Sequence, residues 1–468
     1  MRSRIVAVAV AVIALLIALA LVQGTAAACT TIIVGKDLTA DGSVLISHNE
    51  EDSGTVVMHY VVQPAGRGGE YELYSGGAVA EPARTVAYMG SSVWDKGYIP
   101  GDFIGGVNSH QVAIYNNMTY SREYPDDPWE VHPGGIIWTE FNLLASLQAK
   151  TARQAVKIMG NLSETLGLSC DPGTSFGIAD AKEGWWIDIA RGGQWVAQRV
   201  PDDEAQVIAN CFRIGEIDFK DKHDFMWSSN IIGYAVDKGW YDPTSGEPFD
   251  FAEVYGEAES LVDPYNTVRH EMVQQRLDSL DEIGAGDLMD IMSWHFEGTE
   301  YDLSNGYASS PHTMPGVRTI CRTNTQVSEV TQLRSWLPAP IGAVVWTSMR
   351  TPCSGVYVPW YMGITDVPAP YKTGTDEVSE GSAWWAFRDL DAYVNSHYKD
   401  TIPTVRDTWQ PFQAQMLADQ AAFERAVLKL YKKDSRAAKA MLTAYSGELG
   451  MQAYETAGSL LEQLTAEE

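Results

Sequence analysis

Ala26-Ala27-Ala28-Cys29-Thr30-Thr31-Ile32-Ile33-Val34 is the stretch on which the reading of this chain turns. Three small residues stand directly before a cysteine, and five β-branched residues stand directly after it. β-Branched side chains suit a pleated strand, so Thr30 to Val34 reads as a strand that begins at Cys29. Upstream, Arg2 and Arg4 give a basic start, and Ile5 to Val22 run almost wholly apolar. A basic start, an apolar run and small residues at −3 and −1 make a secretory signal peptide, with cleavage expected after Ala28. The rival reading is an uncleaved anchor, because the same run is just long enough to span a bilayer.

Cleavage after Ala28 would make Cys29 the N-terminal residue. Its thiol and α-amine would then lie side by side, with ordinary pKa values of about 8.5 and about 7.7–8.0. The amine could take the thiol proton near neutral pH, so one residue would supply both nucleophile and general base. A strand starting at once would hold that pair rigidly. The competing chemistry is lipid attachment to the same cysteine. It fits less well, because Ala26 stands where a lipobox prefers leucine.

The composition narrows the field. The chain has 468 residues, with 61 acidic against 33 basic and a formal net charge of −28. Removing 28 residues that carry two Arg and no acid leaves 440 residues and a charge of −30. That balance argues against nucleic acid as a partner, since phosphate contacts need clustered Lys and Arg. Fifteen Trp and 22 Tyr are too many for a disordered acidic chain.

Further strands are expected at Ser43–Ser47, Val56–Val62 and Gln111–Tyr115, the first reached through the turn Asp41-Gly42. Ile136 to Lys150 reads as a helix, and Thr151 as the cap of a second one carrying Ala155, Val156, Met159 and Leu162. Four close strand signals, Phe176–Ala179, Trp185–Ile189, Trp195–Arg199 and Gln206–Ala209, predict an antiparallel meander. A polar middle follows at roughly 215–310, then strands at Ile341–Thr347 and Val356–Tyr361. Trp409, Phe412, Met416, Phe423, Val427 and Leu430 share one face of a long C-terminal helix. Lys372 to Ser382 is the best candidate linker. Strands, helices, strands and helices in that order predict a layered α+β fold rather than a parallel doubly wound one.

Several signals lead away from chemistry. Gly173-Thr174-Ser175-Phe176-Gly177 matches a nucleophile elbow, but a strand follows it where a helix is required. The nine His are scattered, with no H-E-x-x-H and no C-x-x-C, so no metal is expected. No nucleotide-binding loop is present, and no cofactor is expected. Cys170, Cys211, Cys321 and Cys353 allow two disulfides in an oxidising compartment. Cys170–Cys211 and Cys321–Cys353 are the favoured pairs, with free buried thiols as the alternative. Asn117-Met118-Thr119 and Asn161-Leu162-Ser163 match the glycosylation sequon.

Cys29-Thr30-Thr31-Ile32-Ile33-Val34-Gly35-Lys36, then Asp41-Gly42-Ser43 and His48-Asn49-Glu50, resemble the start of the dipeptidase A and secernin family. These are N-terminal-nucleophile cysteine hydrolases, distantly similar to penicillin V acylase and bile salt hydrolase. Gly106-Val107-Asn108 to Val112-Ala113-Ile114, Trp195 to Asp203, Val207-Ile208-Ala209-Asn210, Ser310-Pro311-His312 to Cys321, and Trp384 to Arg388 extend the resemblance over 29–390.

The resemblance implies a four-layer αββα sandwich, maturation that exposes Cys29, and hydrolysis of dipeptides. It implies that Asn210 stabilises the oxyanion, with a second polar contact from Asn117 or its neighbour Asn116. The family usually has Arg-Asn-Glu-Asp where this chain has His48-Asn49-Glu50-Glu51-Asp52, so His48 replaces an arginine. The family's acid then falls on Glu51 or Asp52. Asn49, Glu50 and Asp52 belong to an acidic cluster suited to a substrate's α-ammonium. Arg318 is the candidate for the distant relatives' active-site arginine.

The expected organisation is a signal peptide at 1–28, a hydrolase domain at 29–390, and a helical extension at 391–468 packed on the same domain. The expected activity is a secreted or extracytoplasmic cysteine dipeptidase, in the periplasm or at the cell surface. Its partner is a dipeptide or small amide, without nucleic acid and without a membrane once the signal is cleaved. Self-association into a homo-oligomer stays open. The alternatives are an acylase of small amides on the same fold, a lipid-anchored non-catalytic surface binding protein, and a relative whose site decayed at His48.

Overall fold

The strand Thr30–Val34 is central to a computed structural model of the chain, which describes residues 29–52, 55–94, 103–127, 129–302, 310–312 and 317–466. The expected signal peptide lies outside the described residues. Thr30–Val34 is buried on both faces and pairs antiparallel with two neighbours, Val44–Glu51 and Ala205–Ile208. These belong to a six-stranded sheet in the order Ala205–Ile208, Thr30–Val34, Val44–Glu51, Thr325–Leu333, Ala343–Met349 and Val358–Tyr361. A second sheet of eight strands runs Phe225–Trp227, Gln194–Val200, Gly184–Ala190, Thr174–Ala179, Ala113–Met118, Phe103–Asn108, Tyr88–Val93 and Met58–Gln63.

The two sheets face each other closely because glycine lines part of the gap. A Cβ on Gly177 would come within 2.8 Å of the Thr31 methyl, and one on Gly184 within 2.4 Å of the Ile33 methyl. Thr31 and Ile33 therefore point between the sheets, and by strand alternation Thr30 and Ile32 point outward. Helices cover both outer faces. Trp138–Ser146 and Ala152–Leu166 pack on the eight-stranded sheet, where Phe141 meets Phe176 edge-on with ring centroids 5.7 Å apart. Thr151 caps the second helix as expected, accepting from the Gln154 backbone N–H. Pro264–Asp278 and Ala285–Met292 cover the six-stranded sheet with the C-terminal helices Ala383–Ser396, Tyr398–Tyr431 and Ser435–Ala466. The result is the four-layer αββα sandwich that the resemblance implies, with a helical C-terminus.

Trp409, Met416 and Val427 lie buried on the inner face of Tyr398–Tyr431, as their spacing predicts. The same helix brings Glu424 to Arg334, whose two guanidinium nitrogens donate to its carboxylate at 2.6 and 2.7 Å. Tyr371 ties Ser435–Ala466 down by donating to the Gly450 carbonyl at 3.0 Å.

Several expectations need correction. The first three strands of the predicted meander pair in sequence, but the fourth crosses to the other sheet and pairs with Thr30–Val34. The crossing is fixed where Gly35 N–H donates to the Glu204 carbonyl and Asp37 N–H to the Asp202 carbonyl. The polar middle is helical, with Ile231–Asp237, Phe251–Tyr255 and Ala258–Val262 preceding the two longer helices. Thr325–Leu333, Tyr88–Val93 and Phe103–Asn108 are strands without a predicted counterpart. Neither favoured disulfide forms, and all five thiols are free. The rejection of the elbow motif, by contrast, agrees with the structure, because Ser175 lies within a strand and donates to Asp188 at 2.5 Å.

Candidate active site

Cys29 precedes the first strand and is 3% exposed. Its carbonyl is held from both sides of the sheet. Asn117, on the facing strand Ala113–Met118, donates its Nδ2 to Cys29 O at 2.9 Å, and also to the carbonyls of Ile208 and Ala209 at 3.1 and 3.0 Å. Arg269, from the helix Pro264–Asp278 on the outer face, donates Nη1 to the same Cys29 carbonyl at 3.1 Å. Arg269 also reaches Thr30 Oγ1 at 3.1 Å and Asn210 Oδ1 at 2.6 Å. One buried guanidinium thus fastens the start of the strand to Asn210. Burial lowers its pKa to about 10, which leaves it charged at neutral pH.

A directed hydrogen-bond chain runs from Asn117 along the gap. The Asn117 NH₂ group faces three carbonyls, so its Oδ1 is the acceptor for the Thr31 hydroxyl at 2.5 Å. Thr31 has then spent its proton and accepts from His48 Nδ1 at 2.8 Å. That leaves a lone pair on His48 Nε2, 3.0 Å from Glu50 Oε2. Glu50 must be the donor there, and burial, with Asp52 adding to it, does hold its carboxyl well above the usual range. Burial drives the His48 pKa down to about 3, so the ring is neutral. It stacks on Tyr115 with centroids 5.2 Å apart. His48 is therefore an internal relay in the sheet gap. Where the family has a charged arginine, this chain thus places a neutral ring.

The thiol of Cys29, His48 and Glu50 lie mutually within 4.8 Å. Burial pushes the thiol well above its ordinary value, and the neighbouring Glu50 adds to the rise, while the Glu51 backbone N–H opposes it. Such a thiol stays protonated at neutral pH until a base acts on it directly.

Asn210 is 4% exposed at the end of Ala205–Ile208. Its Nδ2 donates to the Met118 carbonyl at 2.9 Å, which uses one of its two protons. Asn116 is buried with its Oδ1 unpaired, and strand alternation turns it away from Asn117. Asn49 points to the outer face, where it donates to the Met292 and Ile320 carbonyls at 3.0 and 2.9 Å. It holds the helical layer and does not reach the thiol. Asp52 is half-buried and acts electrostatically on Glu50 and Cys29.

Glu51 is fully buried, and neither of its carboxylate oxygens makes a hydrogen bond. Burial raises it to about 7 against the pull of Arg322, Arg269 and Arg318. Arg318 lies over the Tyr265 ring at 5.1 Å and belongs to this cationic ring, while Arg269 is the arginine in contact with Cys29. Sequence reasoning missed Glu51's arginine ring and Arg269 because the helix carrying Arg269 was not predicted. The available signal was Asp263-Pro264, a capped helix start that sets Asn266 and Arg269 three residues apart on one face. A cavity of about 720 Å³ opens beside the edge strand Ala205–Ile208, lined by His270, Gln274 and Arg213, and does not include Cys29.

A buried thiol with its carbonyl clamped between the two layers of an αββα sandwich, beside a relay of polar side chains, defines a cysteine-type hydrolase. The sequence profile of peptidase family C69 matches residues 28–411, and the chain belongs to that family. It is 30% identical over 390 residues to a probable dipeptidase of Salmonella dublin, covering 77% of this chain and 86% of that one. It is 27% identical over 467 residues to a probable dipeptidase of Latilactobacillus sakei, covering 94% and 95%. Among solved structures, penicillin V acylase from Agrobacterium tumefaciens aligns at 11% identity with a TM-score of 0.33, covering 71% of this chain and 91% of that one. Among the described residues no helix is long and apolar enough to cross a membrane.

Proposed function

We propose that the chain is an extracytoplasmic dipeptidase whose nucleophile is the thiol of Cys29, freed by cleavage after Ala28. The observation that carries this reading is the double clamp on the Cys29 carbonyl by Asn117 and Arg269, which fixes the residue at the start of its strand. In the uncleaved chain the Cys29 nitrogen is an amide and cannot act as a base. Cleavage turns it into an amine within reach of its own thiol, which burial keeps protonated.

The amine takes the thiol proton as the sulfur attacks the scissile carbonyl. The developing oxyanion meets the second Nδ2 proton of Asn210 and a backbone N–H. Asn117 has spent both protons on carbonyls, so its part is to position Cys29. The protonated amine passes its proton to the leaving amine, and a thioester remains on Cys29. Water, deprotonated by the same amine, then releases the acid. A dipeptide carries both charges close to its scissile bond, and the site offers both signs, with Glu51 and Asp52 on one strand end and Arg318 and Arg322 acting on Glu51.

The test compares wild type, Cys29→Ser and Cys29→Ala on a panel of dipeptides and acyl amides, alongside the intact mass of the secreted protein. The expected result is a mass beginning at Cys29 without lipid, and dipeptide hydrolysis that Cys29→Ala abolishes. Undiminished hydrolysis by Cys29→Ala, or a diacylglyceryl mass on Cys29, defeats the reading.

A further inference from the structure

His295, His312, Cys321 and Cys353 have no assigned part in the hydrolysis, yet the fold gathers them. Their donor atoms lie mutually within 4.8 Å. His312 Nε2 is 3.3 Å from Cys353 Sγ and 3.8 Å from Cys321 Sγ. An ion bound at Zn–S of about 2.3 Å and Zn–N of about 2.0 Å needs donor-to-donor edges of roughly 3.3–3.8 Å in a tetrahedron. His295, His312 and Cys321 are buried, and Cys353 is half-buried.

The hydrogen bonds around the cluster prepare both imidazoles as ligands. His295 Nδ1 lies 2.9 Å from Glu297 Oε1, so that nitrogen carries the proton and donates. Its Nε2 then bears the lone pair, and it is buried without a hydrogen-bond partner. His312 Nδ1 donates to Asn395 Oδ1 at 2.9 Å, and that oxygen also accepts from Ser310. The His312 Nε2 lone pair is thereby aimed at the two sulfurs. A carboxylate or amide oxygen on the remote nitrogen is the arrangement that orients metal-bound histidines. A cavity of about 270 Å³ reaches Cys353 beside Asp290 and Glu297 and gives an ion a way in.

We infer that these four side chains form a structural Cys₂His₂ site for a zinc-type divalent ion. Four protein donors complete the tetrahedron and leave no position for substrate, so the ion's part is to hold the fold. It would join the segment after Ala285–Met292 to the turn after Ala343–Met349. Cys321 N–H already donates to the Trp294 carbonyl at 3.1 Å, and the neighbouring Ile320 carbonyl receives Asn49 from the strand Val44–Glu51. The clasp would thus fasten the segment from which Arg318 and Arg322 act on Glu51.

The experiment measures bound metal in the purified, dialysed chain, and the visible spectrum after exchange with cobalt. Wild type should hold about one zinc per chain and give the ligand-field and thiolate charge-transfer bands of tetrahedral cobalt. Cys321→Ser with Cys353→Ser should fall below about a tenth of an equivalent. Cys29→Ala should keep the ion and the spectrum, because the site is separate from the thiol that attacks. A chelator should lower the melting temperature of wild type and leave that of the double variant unchanged. A Cys321–Cys353 disulfide in the non-reduced peptide map, a metal-free wild type from zinc-supplemented growth, or loss of the ion in Cys29→Ala would each overturn the proposal.

Discussion

The side-chain amide of Asn117 reaches across the gap between the two sheets and donates to the backbone carbonyl of Cys29 at 2.9 Å. The contact joins the middle of one sheet to the starting residue of the other. It makes the position of the thiol depend on a residue that has no proton to offer the substrate.

Asn117→Asp keeps the shape and reverses part of the polarity, so a carboxylate oxygen would face three carbonyls. Stability should fall by about 2–3 kcal/mol. Loosening the thiol should lower kcat about a hundredfold with little change in KM. Steady-state kinetics beside urea unfolding will check this, and a variant that loses KM alone would mark Asn117 as a substrate contact instead.

Arg269→Lys retains the charge but not the planar fork that serves Cys29 O, Thr30 Oγ1 and Asn210 Oδ1 together. The expected loss is about 2 kcal/mol in stability and one to two orders of magnitude in kcat. Arg318→Lys, which leaves those bonds in place, should change kcat less. Equal effects of the two on kcat would contradict the assignment of Arg269 as the arginine that positions Cys29.

Asn210→Ala removes the amide proton that the proposed mechanism assigns to the oxyanion. The rate of acyl-enzyme formation should drop by about 10²–10³-fold. Burst kinetics with a chromogenic amide reads this step directly. An unchanged burst rate would place the oxyanion elsewhere.

Burial raises Glu329 to about 7 from its ordinary value of 4.5, while Ser91 and Thr347 donate to its Oε1 at 2.8 and 3.1 Å. The folded chain therefore holds a proton that the unfolded chain has already released. The stability this group contributes is full below pH 4.5 and is lost as pH rises through about 7, on the order of 3 kcal/mol. Glu329→Gln should match wild type at pH 4 and melt higher than it at pH 8. A melting difference that does not depend on pH would show Glu329 ionised throughout.

How much was legible in the sequence followed the range of the signal. The strand after Cys29 is local and could be read from a few adjacent residues, whereas His48 to Asp52 divide between the two faces of their strand, with Asn49 turned to the helices and His48 and Glu50 to the gap. Thr325–Leu333 is the central partner of that second strand, and it hid. Its apolar residues, Val327, Val330 and Leu333, are spaced three apart, which imitates a helix, while buried Ser328, Glu329 and Thr331 find their hydrogen bonds on other elements, with Tyr357, with Ser91 and Thr347, and with Tyr115. The contacts of Arg269 and of the His295–Cys353 cluster were hidden for another reason. Their partners come from segments far apart in the chain, so no spacing rule links them. The preference for disulfides followed from counting cysteines. The structure instead gives Cys321 and Cys353 imidazole neighbours and leaves Cys170 and Cys211 as free thiols.

The buried position of Asn117 bears on how the protein can be made. Asn117-Met118-Thr119 is a glycosylation sequon, and glycan transfer acts on a nascent chain before its sheets close. A sugar on that amide would take the nitrogen that holds the Cys29 carbonyl and wedge the two sheets apart. Asn161 is different, because it is exposed on the helix Ala152–Leu166 and could carry a glycan harmlessly. Secretion from a glycosylating host is therefore a poor route to this enzyme unless Thr119 is first replaced by a residue that breaks the sequon.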